Sequence, residues 1–125
     1  MLKTILLIGS GSFIGGVSRY FVARAVQNTW ITSFPAGTLI VNLSGCLLIG
    51  LLYGLFEKYN VLSDDIRFFA TVGFCGSFTT FSTFAFENVA LLRDGNWINA
   101  SIYTGLSVFL GIFAVYAGRI IVKTL

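Results

Sequence analysis

The chain has no histidine, only two cysteines and one proline, and charged side chains make up just 10% of its 125 residues. Cys46 and Cys75 lie far apart and form no Cys-x-x-Cys pair, so neither a zinc site nor a redox centre is expected. No nucleophile–base pair or phosphate loop is present, which argues against an enzyme. The eight basic residues form no stripe, which argues against a nucleic-acid partner.

Apolar residues, in contrast, make up 56% of the chain, and the mean hydropathy is +0.88. A soluble domain this small cannot hide so much apolar surface, because small domains bury a limited fraction of their chain. Residues 25–56, 68–86 and 95–118 contain no charged side chain, and about 20 apolar residues suffice for a helix to cross a bilayer. The sequence therefore predicts an all-α membrane protein whose surroundings are lipid.

We expect four transmembrane helices in a single domain over residues 1–125, at about residues 2–26, 35–57, 64–92 and 96–122. Pro35 suits the first turn of the second helix. Ser63 suits the N-cap of the third helix, and the acidic residues Asp64 and Asp65 suit its first turn. The apolar stretch after Lys3 is also typical of a signal peptide. No Ala-x-Ala-like cleavage site follows it, which favours a retained helix.

The distribution of basic residues leaves the orientation nearly undecided. With four helices, both termini and the loop at residue 58 share one side of the membrane. That side carries five basic residues: Lys3, Lys58, Arg67, Arg119 and Lys123. The other side carries three: Arg19, Arg24 and Arg93. Because cytoplasmic loops normally hold a clear excess of Lys and Arg, either the termini lie inside, or copies insert both ways and permit an antiparallel homodimer.

The centre of the third helix, residues 73–84, is rich in residues that weaken a helix. It holds two glycines and five hydroxyl side chains that compete for backbone hydrogen bonds: Gly73, Gly76, Ser77, Thr79, Thr80, Ser82 and Thr83. A break here would free carbonyls that hydrocarbon does not satisfy. Such carbonyls bind monovalent cations in transporters, and two crossing copies would place four around one Na⁺. The alternative is an unbroken helix, and the pattern alone does not choose between them.

Phenylalanines recur every third residue in the same segment. Phe78, Phe81 and Phe84 would lie along one stripe of a continuous helix. They are either ordinary packing residues or the lining of an anion path, because the edge of an aromatic ring is partially positive. Three polar side chains would add donors for a small, strongly hydrated anion: Asn42, Ser82 and Thr83.

Other polar residues inside the expected spans need partners. Two pairs lie four residues apart: Thr38 with Asn42, and Tyr103 with Ser107. Glu87 is an intramembrane carboxylate, which is a functional-site hypothesis in its own right. Arg19 either snorkels to the interface or attracts anions in a vestibule, and both interpretations stay open.

These residues occur in motifs that together resemble one family. The motifs are, in chain order, Gly15-Gly16-x-x-Arg19-Tyr20, Pro35-x-Gly37-Thr38, Val41-Asn42-Leu-x-Gly45 and Gly73-Phe-x-Gly76-x-Phe-Thr79-Thr80-Phe81-Ser82-Thr83-Phe84. Their order and span over the whole chain are similar to those of the Fluc family of bacterial fluoride channels. The resemblance implies a passive, fluoride-selective channel that exports fluoride across the bacterial cytoplasmic (inner) membrane to relieve its toxicity.

The resemblance also implies an assembly and a cofactor. It implies a dual-topology antiparallel homodimer in the lipid bilayer, with two pores and a central structural Na⁺ held by the backbone carbonyls of Gly76 and Thr79 from both subunits. It implies a set of pore and anion-binding residues that includes an arginine in the vestibule. The set is Arg19, Thr38, Asn42, Phe81, Ser82, Thr83, Phe84, Glu87, Tyr103 and Ser107. Beyond Ser107 the same helix face continues to Gly111 and Val115, which offer no hydroxyl.

Two other classes of function remain as alternatives. A small dual-topology exporter would couple transport to protons through Glu87. A non-conducting subunit would only scaffold partners, and its Phe81 and Phe84 would be replaceable by other apolar residues.

Overall fold

The computed structural model describes residues 1–60 and 62–125, and these residues form helices joined by short turns. Four spans are long and apolar enough to cross a membrane: α1 (Leu2–Thr29), α2 (Ala36–Tyr59), the third span (Asp64–Arg93) and α6 (Trp97–Thr124). The expectation of an all-α chain with four membrane-spanning helices is confirmed. The first helix continues three residues past its expected end at 26, because Gln27 finds polar partners in the turn that follows.

The third span is interrupted at its centre. It consists of α3 (Asp64–Arg67), a π-helix (Phe68–Cys75), α4 (Gly76–Phe78) and α5 (Phe81–Arg93). Between α4 and α5, Thr79 (φ −83°, ψ 154°) and Thr80 (φ −148°, ψ 118°) are extended. We call residues 64–78 the first half-helix and α5 the second half-helix. The interpretation of an unbroken helix is therefore wrong.

The break also corrects the expected phenylalanine stripe. Phe78 belongs to the first half-helix, where it is buried and stacks on Phe74 at 5.5 Å between ring centroids. Phe81 and Phe84 belong to the second half-helix, with centroids 5.7 Å apart. A spacing of three places side chains on one stripe only while the helix continues, so the stripe is limited to Phe81 and Phe84.

Glycines bring pairs of helices into backbone contact. α1 packs along the first half-helix, and α2 packs along α6. A Cβ added at Gly15 would collide with the carbonyl oxygen of Phe74, and one at Gly50 with that of Val115. Small residues permit such close approach in lipid, where dispersion contacts rather than exclusion of water hold helices together.

This packing makes neighbouring glycines of α1 unequal. We expect Gly15→Ala to destabilise the protein by about 1–3 kcal/mol, because the methyl group has no room beside Phe74. Gly16→Ala is the matched control, since nothing lies within 4 Å of its added Cβ. Thermal unfolding of both variants in detergent checks the difference, and equal stability of the two would contradict the packing.

Candidate functional site around the helix break

The side chain of Asn42 bridges from α2 to the broken backbone. Its Nδ2 donates to the carbonyl oxygen of Thr80 at 3.0 Å, and its Oδ1 accepts from the Thr80 amide at 2.8 Å. Thr80 in turn caps the second half-helix, because its Oγ1 accepts from the amide of Thr83 at 3.2 Å. The backbone groups that the break frees at residue 80 are thus satisfied by one amide side chain.

The end of the first half-helix has partners of a different kind. The amide of Thr79 and its hydroxyl both donate to the carbonyl oxygen of Cys75, at 3.1 and 2.9 Å. Arg19 of α1 donates through Nε to the carbonyl oxygen of Ser77 at 3.2 Å. Within residues 1–60 and 62–125, the carbonyl oxygens of Gly76 and Thr79 accept no side-chain or inter-element hydrogen bond.

Three of the predicted residues meet in a partly buried polar cluster. Thr38 donates its hydroxyl hydrogen to Oε1 of Glu87 at 2.6 Å, and Tyr103 donates to Oε2 at 2.9 Å. Tyr103 is completely buried, and its ring packs edge-on against Phe84 with centroids 5.0 Å apart. Helices α2, α5 and α6 therefore bring together a carboxylate, two hydroxyls and an aromatic ring that are distant in sequence.

A first cleft, of about 380 Å³, opens on one side of Thr80. Its lining includes predicted residues from the break and from three helices: Thr79, Asn42, Phe81, Phe84 and Ser107. Phe81 is 80% exposed, and the hydroxyl oxygen of Ser107 is buried with no hydrogen-bond partner among the described residues. The described residues that line this cleft include no carboxylate, so its polar groups are hydroxyls, amides and backbone.

A second cleft, of about 300 Å³, lies on the other side of Thr80 and is lined by Arg19, Tyr20, Ala23, Arg24, Thr38, Val41, Thr80, Thr83 and Glu87. Glu87 also borders a third, acidic cleft of about 470 Å³ that contains Asp94. Thr80 lines both the first and the second cleft, and Glu87 lines both the second and the third. Each of the three clefts is lined in part by residues of the second half-helix.

The predicted residues are not equally close to these clefts. Ser82 is exposed and lines neither of the first two clefts, although its hydroxyl lies 3.4 Å from that of Thr80. Tyr103 lies behind Glu87 rather than on a cleft wall. Sequence reasoning treated Thr80 only as a helix breaker and missed its role between two clefts. Its position three residues before Thr83, at the start of a helix, was the available N-cap signal.

A family model described as "CrcB-like protein, Camphor Resistance (CrcB)" matches residues 6–119. The chain belongs to the CrcB family. It is 44% identical to a Fluoride-specific ion channel FluC of Flavobacterium psychrophilum, over 99% of this chain and all of that relative. It is 42% identical to a protein of the same name from Chlorobaculum tepidum, over 98% of this chain and 97% of the relative.

These similarities to CrcB-family channels confirm the resemblance drawn from the sequence motifs. The named relatives are ion channels, so the expectation that the chain is not an enzyme is also confirmed. Together with the four spans, the family makes this chain a multi-pass membrane protein.

Proposed function

We propose that this CrcB-family chain is a fluoride-selective, passive ion channel that exports fluoride from the cytoplasm across the bacterial inner membrane. The observation that carries the proposal is the cleft beside the break, where the rings of Phe81 and Phe84, the amide of Asn42 and the unpartnered hydroxyl of Ser107 converge without a carboxylate. The relatives' names supply the identity of the ion.

The chemistry of this cleft suits a small anion. Fluoride gives up its water shell only where donors replace it, because an unsatisfied buried charge is costly. Nδ2 of Asn42 carries two hydrogens and donates one to the carbonyl oxygen of Thr80, so the other can be donated to an anion. Ring edges of Phe81 and Phe84 add partial positive charge, and neutral donors hold the ion without the fixed cation that would trap it.

A polar track extends the path beyond Thr80. Thr83, Thr38 and Glu87 line the second cleft, and the Tyr103 hydroxyl reaches Glu87 from behind. In the proposed channel Ser82 and Thr83 offer hydroxyls near the break, and Arg19 forms part of the vestibule wall. The two hydroxyls that donate to Glu87 occupy both of its oxygens, so the carboxylate presents less of its charge to a passing anion.

We further propose an antiparallel, dual-topology homodimer with two pores. Phe81 is 80% exposed in the single chain, and Gly76, before the break, is exposed as well. A second copy crossing at the break would cover both. The distribution of five basic residues on one side against three on the other is even enough to permit insertion in both orientations.

The break also fits a structural Na⁺. The carbonyls of Gly76 and Thr79 accept no side-chain or inter-element hydrogen bond among the described residues, and two copies would present four neutral oxygens at the centre of the dimer. Oxygen ligands suit a hard monovalent cation. Among the described residues no cluster of His, Cys, Asp and Glu competes as a metal site. A bound Na⁺ would supply charge that holds two broken helices together.

The test of the proposed function is fluoride efflux from liposomes that contain only this protein. The expected result is fast fluoride efflux driven by a potassium diffusion potential, with no chloride efflux under the same conditions. Protein-containing liposomes that release no more fluoride than empty ones would refute the channel and leave the scaffold subunit.

One observation keeps the coupled exporter as a second candidate. Glu87 borders two clefts and is the carboxylate at the centre of the polar track. We expect Glu87→Gln to retain fluoride efflux within about an order of magnitude, because glutamine keeps an acceptor and gains a donor for Thr38 and Tyr103. Wild-type efflux that depends on a pH gradient, together with loss of efflux in Glu87→Gln, would instead establish the exporter. Efflux with and without a pH gradient decides between them.

Removal of Na⁺ tests the proposed cation site. We expect fluoride efflux to fall to the protein-free background after prolonged exchange of Na⁺ for a large organic cation, because the carbonyls at the break would lose the cation that they bind. Efflux should return when Na⁺ is restored before reconstitution. Unchanged efflux in the sodium-free protein, verified by elemental analysis, would remove the cation from the proposal.

A further inference from the structure

Arg19 lies on the face of α1 that contacts the first half-helix backbone to backbone. Gly11 packs on the carbonyl of Phe69, and Gly15 packs on that of Phe74. One turn further, Arg19 donates through Nε to the carbonyl oxygen of Ser77 at 3.2 Å. Because residues four apart share one helix face, the glycines bring the two backbones together and direct Arg19 to the end of the half-helix.

The carbonyl of Ser77 needs such a partner because of the break. In a continuous helix it would accept from the amide of Phe81, four residues later. Phe81 begins the second half-helix, and the extended residues Thr79 and Thr80 separate the two groups. The last carbonyls of a helix also form the negative end of its dipole, where a cation is stabilising. A guanidinium therefore satisfies both the hydrogen bond and the charge.

We propose that Arg19 is a positioning residue that fixes the geometry of the break. Arg19 from α1 holds residue 77, and Asn42 from α2 holds both backbone groups of residue 80. The two anchors lie on either side of Thr79, so they set the direction of its carbonyl and of Phe81. Arg19 acts through this backbone, and its positive charge in the vestibule is secondary. The flux readout of the test rests on the proposed function, whereas the exchange readout does not.

Two substitutions separate the hydrogen bond from the charge. Arg19→Gln removes the charge but places the amide nitrogen Nε2 the same number of bonds from the backbone as the arginine Nε. Arg19→Met has similar length and offers no donor. If Arg19 positions the break, Arg19→Gln should keep the wild-type backbone geometry at residues 79–83, and Arg19→Met should not. If Arg19 only attracts anions, both variants should be equally impaired.

Arg24→Gln is the matched control for charge. Arg24 lines the same cleft as Arg19, but its guanidinium bonds to the hydroxyl of Tyr20 on its own helix, at 3.0 Å. Removing its charge changes the potential in the cleft and leaves the Ser77 contact in place. An effect common to Arg19→Gln and Arg24→Gln therefore reports charge alone.

The experiment measures hydrogen–deuterium exchange of the amides of residues 79–83 in nanodiscs, and fluoride efflux at low and high ionic strength. We expect Arg19→Met to accelerate this exchange by about tenfold, the effect of losing one hydrogen bond, and to slow efflux at both salt concentrations. Arg19→Gln and Arg24→Gln should exchange like the wild type.

The opposite pattern overturns the proposal. Wild-type exchange in Arg19→Met, or efflux losses that are equal in Gln and Met and shrink at high salt, would assign Arg19 to anion attraction, since salt screens exposed charges. If Arg19→Met does not fold, Arg19→Gln decides, because a salt-sensitive loss of efflux equal to that of Arg24→Gln contradicts positioning. If the wild type itself carries no fluoride, the proposed function fails and exchange alone decides the role of Arg19.

Discussion

Replacing Phe81 or Phe84 by isoleucine is expected to slow fluoride efflux by at least about a hundredfold, a loss of roughly 2.7 kcal/mol in the barrier. Isoleucine matches the ring in apolar character but has no partially positive edge to face an anion. Phe84 is held edge-on by Tyr103 at 5.0 Å between centroids, and Phe81 projects from the break with 80% of its surface exposed. Efflux from liposomes, followed with a fluoride electrode, measures the effect.

Phe109→Ile is the matched control for this pair. Phe109 is 76% exposed on α6 and lines none of the three clefts along the second half-helix. Its replacement should leave efflux at the wild-type rate. Phe81→Ile and Phe84→Ile variants that conduct as well as Phe109→Ile would show that the rings only pack, as the scaffold interpretation requires.

Asn42→Ala is expected to have the second large effect, on stability and efflux together. The amide and the carbonyl of Thr80 would both lose their hydrogen-bond partner. Each of these groups that water does not reach would lower the free energy of unfolding by about 1–3 kcal/mol. The proposed path would also lose a neutral donor beside Phe81 and Phe84. We therefore expect a lower unfolding temperature and loss of efflux, measured on the same preparation.

Asn88→Ala serves as the control for removal of an intramembrane amide. Asn88 also bonds a helix backbone, donating to the carbonyl of Phe84 at 3.0 Å, but it lies outside both clefts that meet at Thr80. It should retain efflux. An Asn42→Ala variant no more impaired than Asn88→Ala would contradict the role of Asn42 at the break.

Much of this arrangement is predictable from the chain alone. The four spans follow from apolar runs long enough to cross hydrocarbon, which is a property of local composition. Gly76 and the hydroxyl residues after it mark where the third span can break, because they weaken a helix, but the structure was needed to exclude an unbroken helix. Glu87 is recognisable because a carboxylate inside a span needs partners, and Thr38 and Tyr103 provide them.

Other features depend on contacts between distant segments, which local patterns do not encode. The π-helix at Phe68–Cys75 has no distinctive sequence signal, and Phe78 leaves the expected stripe because the break turns the chain. Arg19 is an ordinary basic residue until α1 packs on the first half-helix and brings it to Ser77.

The sequence by itself therefore determined that this protein has four membrane-spanning segments, where the third segment is weakest as a helix, and which polar side chains lie inside. The length of an apolar segment and its helix propensity depend only on neighbouring residues, so both can be calculated from the sequence. Only the tertiary structure decided that Asn42 and Arg19 hold the two sides of the break and that Thr80 stands between two clefts. The reason is physical: a backbone group freed in lipid must be satisfied, but any neighbouring helix can supply the partner.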